Sequence, residues 1–184
     1  MKLETGLEYA QEMKQALAPY CLPNRLEIAG SIRRACPGVG DIEIVAIPNT
    51  HQVSAFWAAA IRIGRPGNKI KTDTRYVKIN RATPHGLIQI DIFTPRPYDW
   101  GRILAIRTGS ADFVHRQLAI QWVKMGYRGT EHGLIPQSCC EQRGGKWLLK
   151  PGINPEYHRI EFQEEIDFFN WLGLEWVDPK NRIQ

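Results

Sequence analysis

Gly30-Ser31-Ile32-Arg33-Arg34, followed by Gly40-Asp41-Ile42-Glu43-Ile44-Val45-Ala46-Ile47, brings together residue types that can do chemistry. Side chains of a strand alternate faces, so Asp41 and Glu43 point the same way. Two adjacent carboxylates repel each other unless a positive charge sits between them. A hard divalent cation is the natural filler, and Mg²⁺ favours oxygen ligands. The Gly-Ser turn upstream offers what a phosphate needs. Gly30 permits close backbone approach, N–H groups at a following helix N-terminus donate to phosphate oxygens, and the Ser31 hydroxyl adds a donor. Arg34, or Arg33, can neutralise β- and γ-phosphates with a guanidinium fork. Most Gly-Ser pairs are only turns, and this one gains weight from its spacing to Gly40-Asp41-Ile42-Glu43. A phosphate-binding turn beside a metal-binding carboxylate pair predicts chemistry on a nucleoside triphosphate.

A third carboxylate lies in Leu87-Ile88-Gln89-Ile90-Asp91-Ile92-Phe93. Leu87, Gln89 and Asp91 share one face of a strand, and Ile88, Ile90 and Ile92 share the other. Asp91 alone reads most simply as a solvent-facing position. In an apolar strand beside Asp41 and Glu43 it becomes the third ligand, because a buried charge is costly unless paired or metal-bound. Three converging carboxylates suit two Mg²⁺ ions about 3.5–4 Å apart, which stabilise the attacking and leaving oxygens of an in-line displacement. Asp91, placed near the attacking hydroxyl, can also take its proton.

The elements that must position these groups follow from periodicity and breakers. Leu3, Leu7, Ala10, Met13 and Leu17 predict an amphipathic helix over 3–18, ended by Pro19 and Pro23. A short strand over 26–29 runs into Gly30-Ser31, and 37–40 is a turn. A strong strand over 41–47 stops at Pro48-Asn49. Residues 53–63 read as an apolar helix broken by 64–68. Strands over 76–80 and 87–93, joined by a turn at 84–86, suggest an antiparallel hairpin or meander. Thr94-Pro95-Arg96-Pro97-Tyr98-Asp99 is the clearest boundary. Helices over 100–106 and 111–125 follow, then short strands and turns, and a final helix near 164–172. The expected fold class is α+β, with a first unit at 1–96 and a smaller second one at 97–184.

The 184 residues are 43% hydrophobic, ample for a core. No run approaches the about 18 apolar residues of a membrane span, and the N-terminus has no apolar signal region, so an intracellular protein is expected. Cys21, Cys36, Cys139 and Cys140 form no metal or disulfide spacing and read as reduced thiols. The dispersed histidines support no zinc site. The six tryptophans read as core anchors. A formal charge of +5 is compatible with a polyanionic partner without demonstrating one.

Gly-Ser-x-Arg-Arg, Gly40-Asp41-Ile42-Glu43 and Gln89-Ile90-Asp91-Ile92-Phe93 together resemble the palm of family X DNA polymerases, within the polymerase-β-type nucleotidyltransferases. Thr108-Gly109-Ser110 with Phe113 is similar to the motif that opens the family's C-terminal nucleotide-binding subdomain. Residues 126–134, 164–169 and 172–182 continue the likeness in order. The resemblance implies a nucleotidyltransferase palm with a mixed or antiparallel sheet and flanking helices, and a thumb-like subdomain. It implies Asp41, Glu43 and Asp91 as catalytic metal ligands. Gly30, Ser31, Arg34 and the Gly40 backbone would contact the triphosphate, with Thr108, Gly109 and Ser110 near the sugar and base.

The departures are specific. Glu43 replaces the usual second aspartate. Ile106-Arg107 stand where the family often has an aromatic pair that excludes a ribose 2′-hydroxyl. Ala111 and Val114 replace acidic and amide residues, and Phe93 replaces the usual arginine partner of the glutamate matched by Glu131. The family's N-terminal lyase domain and helix-hairpin-helix clamp have no counterpart, a layout similar to small viral family X polymerases. Lys69, Lys71, Arg75, Lys78 and Arg107 are candidate nucleic-acid contacts, salt-sensitive and sequence-blind.

The expected function is Mg²⁺-dependent transfer from a (d)NTP to a DNA 3′-hydroxyl, as in gap-filling repair, by a monomer with two Mg²⁺ ions, Mn²⁺ being a substitute. One alternative keeps the enzyme but changes the acceptor to RNA or another non-DNA group. Another is a catalytically inactive nucleic-acid-binding relic, against which three retained carboxylates in apolar strands argue.

Overall fold

The computed structural model describes residues 1–67, 69–71, 73–84 and 86–183; Asn68 of the predicted breaker and His85 of the predicted turn lie outside the described residues. Helix α1 (Leu3–Leu17) buries Ala10, Met13 and Leu17 along one face, as its spacing predicts. Strand β1 (Cys21–Ile28) follows a short turn. It starts earlier than expected and contains Pro23. Its register with β2 shifts between Cys21 and Leu26, and β1 is an edge strand, where a missing N–H costs no ladder bond. The short helix α2 (Gly30–Arg33) leads to β2 (Ile42–Pro48), so Asp41 sits just ahead of its strand rather than within it. Helix α3 (Val53–Ile63), β3 (Arg65–Pro66), β4 (Tyr76–Thr83) and β5 (Gly86–Phe93) complete a five-stranded mixed sheet of order β1-β2-β5-β4-β3.

The fold is α+β. The β4–β5 pair is the expected antiparallel hairpin, but β2 and β5 pair in parallel. Alternation then divides the sheet. Ile42, Ile44, Ala46, Val77, Ile79, Ile88, Ile90 and Ile92 face a core shared with α1 and α3. On the opposite face, Val45, Ile47 and Phe93 pack with Trp100 and Leu104.

Those last two residues belong to α4 (Trp100–Thr108). Next come α5 (Ala111–Phe113), a π-helical turn over Val114–Ala119 and α6 (Ile120–Lys124), so the helix predicted over 111–125 is widened in its middle. Two hairpins follow, β6 (Tyr127–Thr130) with β7 (Gly133–Pro136) and β8 (Cys140–Arg143) with β9 (Lys146–Leu149). Helix α7 (Glu165–Trp171) packs on α4 around a second core of Ala105, Phe113, Leu118, Leu134, Phe162, Phe168 and Phe169. Gly101 of α4 donates its N–H to Phe162, and a Cβ there would collide with the Glu164 carbonyl. Trp57 and Trp100 are buried anchors, while Trp176 is exposed. The four cysteines are free thiols, and burial pushes the Cys21 thiol up to about 12. Among the described residues no helix is long and apolar enough to cross a membrane.

A buried ion cluster joins the two cores. Arg33 of α2 makes a two-pronged contact with Glu165 at 2.9 and 2.7 Å, and Arg182, fully buried, donates to the same carboxylate at 2.6 and 3.4 Å. Burial alone would raise the Glu165 pKa, but hydrogen bonds from Arg33 and Arg182 outweigh it and hold the carboxyl below its ordinary range. Removing one partner of such a cluster leaves buried charge uncompensated, at a cost of about 3–5 kcal/mol. Glu165→Gln is therefore expected to lower unfolding stability by about that much in urea titration. A loss below about 1 kcal/mol, the range of exposed pairs, would contradict this role.

Candidate active site

Strand pairing delivers two of the three carboxylates. The parallel register places Glu43 opposite Asp91 and Val45 opposite Phe93, so both acids lie on the sheet face that α4 covers. Asp41, two residues before Glu43, joins them from the loop end. Asp41 and Glu43 both feel burial and a neighbouring carboxylate. Burial, then the neighbouring Asp91 charge, raises the Asp41 pKa. Burial, then Asp41, pushes the Glu43 carboxyl up to about 7, although Arg107 and Arg34 oppose the shift. Asp91 is 7% exposed. The Tyr76 hydroxyl donates to its Oδ1 at 3.0 Å and the Gln89 amide to its Oδ2 at 2.8 Å.

The Gly-Ser turn packs directly onto this cluster. The Ala29 N–H donates to the Glu43 carbonyl at 2.8 Å. Gly30 adopts φ +62°, and a Cβ there would collide with Glu43 Oε2, so only glycine allows this approach. Ser31 Oγ is buried without a hydrogen-bond partner. The two arginines diverge. Arg33 turns to Glu165 and also donates to Thr108 Oγ1 at 2.6 Å, leaving Arg34 beside the carboxylates. Arg34 donates one Nη to the Thr108 carbonyl at 2.7 Å, and its Nε is buried and unpartnered. Gly40 is uncrowded and has no positive φ, so no steric demand explains glycine there.

Thr108, Gly109 and Ser110 are adjacent in sequence but differently placed. Thr108 is fully buried and occupied by Arg33 and Arg34. Ser110 accepts from the Phe113 N–H and donates to the Ile183 carbonyl, serving as a helix cap and tie. Gly109 lines a cavity beside Arg107.

Arg107 stands where two cavities meet. Its guanidinium lies 3.9 Å over the Phe93 ring, which stacks on Tyr76 at 5.1 Å and 23°. Burial lowers its pKa while Glu43 and Asp91 oppose that, and its Nε too is buried and unpartnered. A cavity of about 560 Å³ on the Asp91 side is bordered by Glu43, Tyr76, Asp91, Arg75, Arg96 and Glu131, beside the buried Asp99–Arg102 pair. A second, of about 510 Å³, lies towards α5 and the π-helical turn. Glu43 and Arg107 line both. Of the other basic candidates, Arg75 borders the first cavity, Lys78 pairs opposite Asp91 on β4, and Lys69 and Lys71 lie exposed in the preceding loop.

Tyr76 and Gln89 are contributors that sequence reasoning missed. Gln89 was detectable, since it shares the Asp91 face two residues away. Tyr76 becomes visible only once β4 is paired with β5. Among the described residues no group of three or more acidic, histidine or cysteine side chains is arranged to hold a metal ion by itself. The donor set still suits a hard cation: all oxygen, mutually repelling and backed by fixed donors. Mg²⁺ commonly binds through one or two carboxylates, with substrate phosphates and water completing its shell.

Residues 103–183 match the family model for the DNA polymerase beta thumb. Two structures of Leishmania infantum polymerase beta are similar to the chain. A ternary gap complex has TM-score 0.74 and 16% identity, over 99% of this chain and 70% of that one. A ternary P/T complex has TM-score 0.73 and 17% identity, over 100% and 77%. No curated protein matches by sequence. The fold is thus like that of polymerase beta, a family X polymerase-like fold.

The raised Glu43 pKa has a measurable sign. Between its ordinary 4.5 and about 7 the folded protein holds a proton that the unfolded chain has lost. This contribution to stability falls as pH rises through that window and is flat above it. In thermal melts with EDTA, Glu43→Gln should flatten the pH dependence there and gain most over the parent near pH 8. An unchanged slope would show that Glu43 titrates normally.

Proposed function

We propose that this chain transfers a nucleotide from a nucleoside triphosphate to a DNA 3′-hydroxyl, with Asp41, Glu43 and Asp91 holding divalent metal. One observation carries the reading. Among the described residues, the buried side-chain polar atoms without partners are Ser31 Oγ, Arg34 Nε and Arg107 Nε. All three can donate a hydrogen bond, and their side chains belong to the turn and helix that border the carboxylates. Buried donors without acceptors are costly. Donors lacking acceptors, beside acids lacking cations, suit a ligand that brings both: a phosphate chain with its metal.

The protein's contribution is positioning and charge neutralisation. Ser31 and Arg34 hold the phosphates that leave, with the backbone of Gly30 and Gly40 close by. Tyr76 and Gln89 fix the Asp91 carboxylate, which takes the proton of the acceptor hydroxyl. Two Mg²⁺ ions, when bound, lower the cost of negative charge at the attacking and leaving oxygens. Arg75, Lys78 and Arg107, with Lys69 and Lys71 further out, supply sequence-independent attraction for the nucleic acid. The palm is assigned to 1–96 and the thumb-like unit to 97–184, with gap filling the reaction such a layout suits. Ile106 and Arg107 at the second cavity favour a second reading, in which a ribose is accepted in the nucleotide or the primer.

The test offers a gapped duplex, a single strand and an RNA primer, with dNTPs or NTPs and Mg²⁺ or Mn²⁺. Extension of the gapped duplex with dNTPs is expected, falling about 10²–10⁴-fold in Asp91→Ala, the scale of a lost general base. Failure to extend any acceptor would overturn the proposal. Activity surviving in Asp91→Ala would overturn the assigned role.

A further inference from the structure

A third cavity lies at the far end of the sheet. Its buried lining includes Ile47 near the end of β2, Trp57 of α3, and Thr94-Pro95 just after β5. Its volume is about 320 Å³, at the lower end of the range for small-molecule sites. Ile47 lies four residues beyond Glu43 on β2, about 13 Å along the strand at a rise of about 3.3 Å per residue. Thr50, Arg75 and Arg96 are the exposed members that form its rim. The two guanidinium groups are poorly satisfied. Arg75 makes one long hydrogen bond, 3.5 Å to the Thr94 carbonyl. Burial, then the neighbouring Arg96 charge, lowers its pKa, and Tyr98 and Asp73 only oppose that shift. Among the described residues the Arg96 side chain has no hydrogen bond or ion pair. Two like charges thus stand at the mouth of an apolar cavity.

We infer that this cavity binds a small amphipathic anion, with an apolar ring or branched body against Trp57 and Ile47 and a carboxylate or phosphate head held by Arg75 and Arg96. Ligand sites are commonly built in this way, from apolar walls with a few convergent polar groups that fix orientation. A guanidinium fork meets both oxygens of a carboxylate or phosphate. The head also relieves the contact between two like charges, which a neutral ligand leaves in place. A bare anion relieves it but buries no apolar surface. Neither metal nor nucleic acid takes part. Arg75 and Arg96 border the carboxylate-side cavity too, whereas Ile47, Thr50 and Trp57 line only this one of the two. Substitution at Thr50 therefore tells the two cavities apart.

Isothermal titration of the full-length chain tests this at low salt, with EDTA and without nucleic acid. The probes are 2-naphthoate, 2-naphthyl phosphate, neutral 2-naphthamide and inorganic phosphate. The naphthyl anions are expected to bind about tenfold or more tightly than naphthamide, the scale of a hydrogen bond to a charged group. Their rings should give them a margin of similar size, about tenfold, over inorganic phosphate. Whichever anion binds more tightly names the head group. Arg96→Gln should bring the naphthyl anions down to the naphthamide level. Thr50→Trp, whose ring fills the mouth, should abolish binding, while Thr50→Val retains it and shows that the rim tolerates substitution. Four results would overturn the inference: no binding of either naphthyl anion, anions no better than naphthamide, anions no better than inorganic phosphate, or binding unchanged in Thr50→Trp. The last would put the anion in the carboxylate-side cavity.

Discussion

Glu165 is the point on which the two halves of the fold hang. Its carboxylate receives Arg33 from α2 and Arg182 from near residue 183, and Arg33 also holds Thr108. Burying the Glu165 and Arg182 charges is expensive, and here geometry offsets the cost: with the half-buried Arg33, every carboxylate oxygen is met by a guanidinium. The same contacts explain why the Gly-Ser turn is rigidly placed. Arg33 and Arg34 lie within or beside α2 and both end on Thr108 at the end of α4. The turn beside the carboxylates is therefore mounted on the helices that build the second core.

The acidic cluster shows the opposite economy. Asp41 and Glu43 are disfavoured as charges by burial and by a neighbouring carboxylate, Asp91 for Asp41 and Asp41 for Glu43, and nearby cationic groups reduce the disturbance without removing it. Asp91 differs, with two donors fixed on its oxygens. The chain thus leaves a charge deficit at Asp41 and Glu43, and a surplus of donors at Ser31, Arg34 and Arg107. Metal alone would leave the site too positive beside its arginines, and phosphate alone would add to the negative charge of the carboxylates. A ligand carrying phosphate and metal together leaves it nearly balanced.

Much of this was legible in the residues themselves. Alternation put Asp41 with Glu43 and separated Asp91 from its isoleucines, because those strands are long enough for period two to show. The bounds of α3 were readable from its apolar run and the glycine-proline break after it. Other features depend on distant partners. Nothing local says that β5 returns parallel to β2, since the intervening chain is long enough to arrive either way. Arg33 and Arg34 are indistinguishable in sequence, and Glu165 decides between them. The four-residue strands β6 to β9 are too short for alternation to declare itself. Thr108 and Ser110 read as ligand contacts by resemblance, yet their hydroxyls serve the scaffold. The π-helical turn leaves no residue signature at all.

The parallel pairing of β2 with β5 has a kinetic consequence. Helix α3 and strands β3 and β4 intervene between Glu43 and Asp91, so the two acids meet only after a long loop has closed. Loop closure of this kind is paid before its contacts reward it, which makes such pairings slow. During synthesis the Gly-Ser turn, Asp41 and Glu43 emerge early, while their third partner waits for β5. The repulsion that Asp91 adds to the Asp41–Glu43 pair is therefore absent from the early folding chain, and it arises only as the last strands of the sheet close.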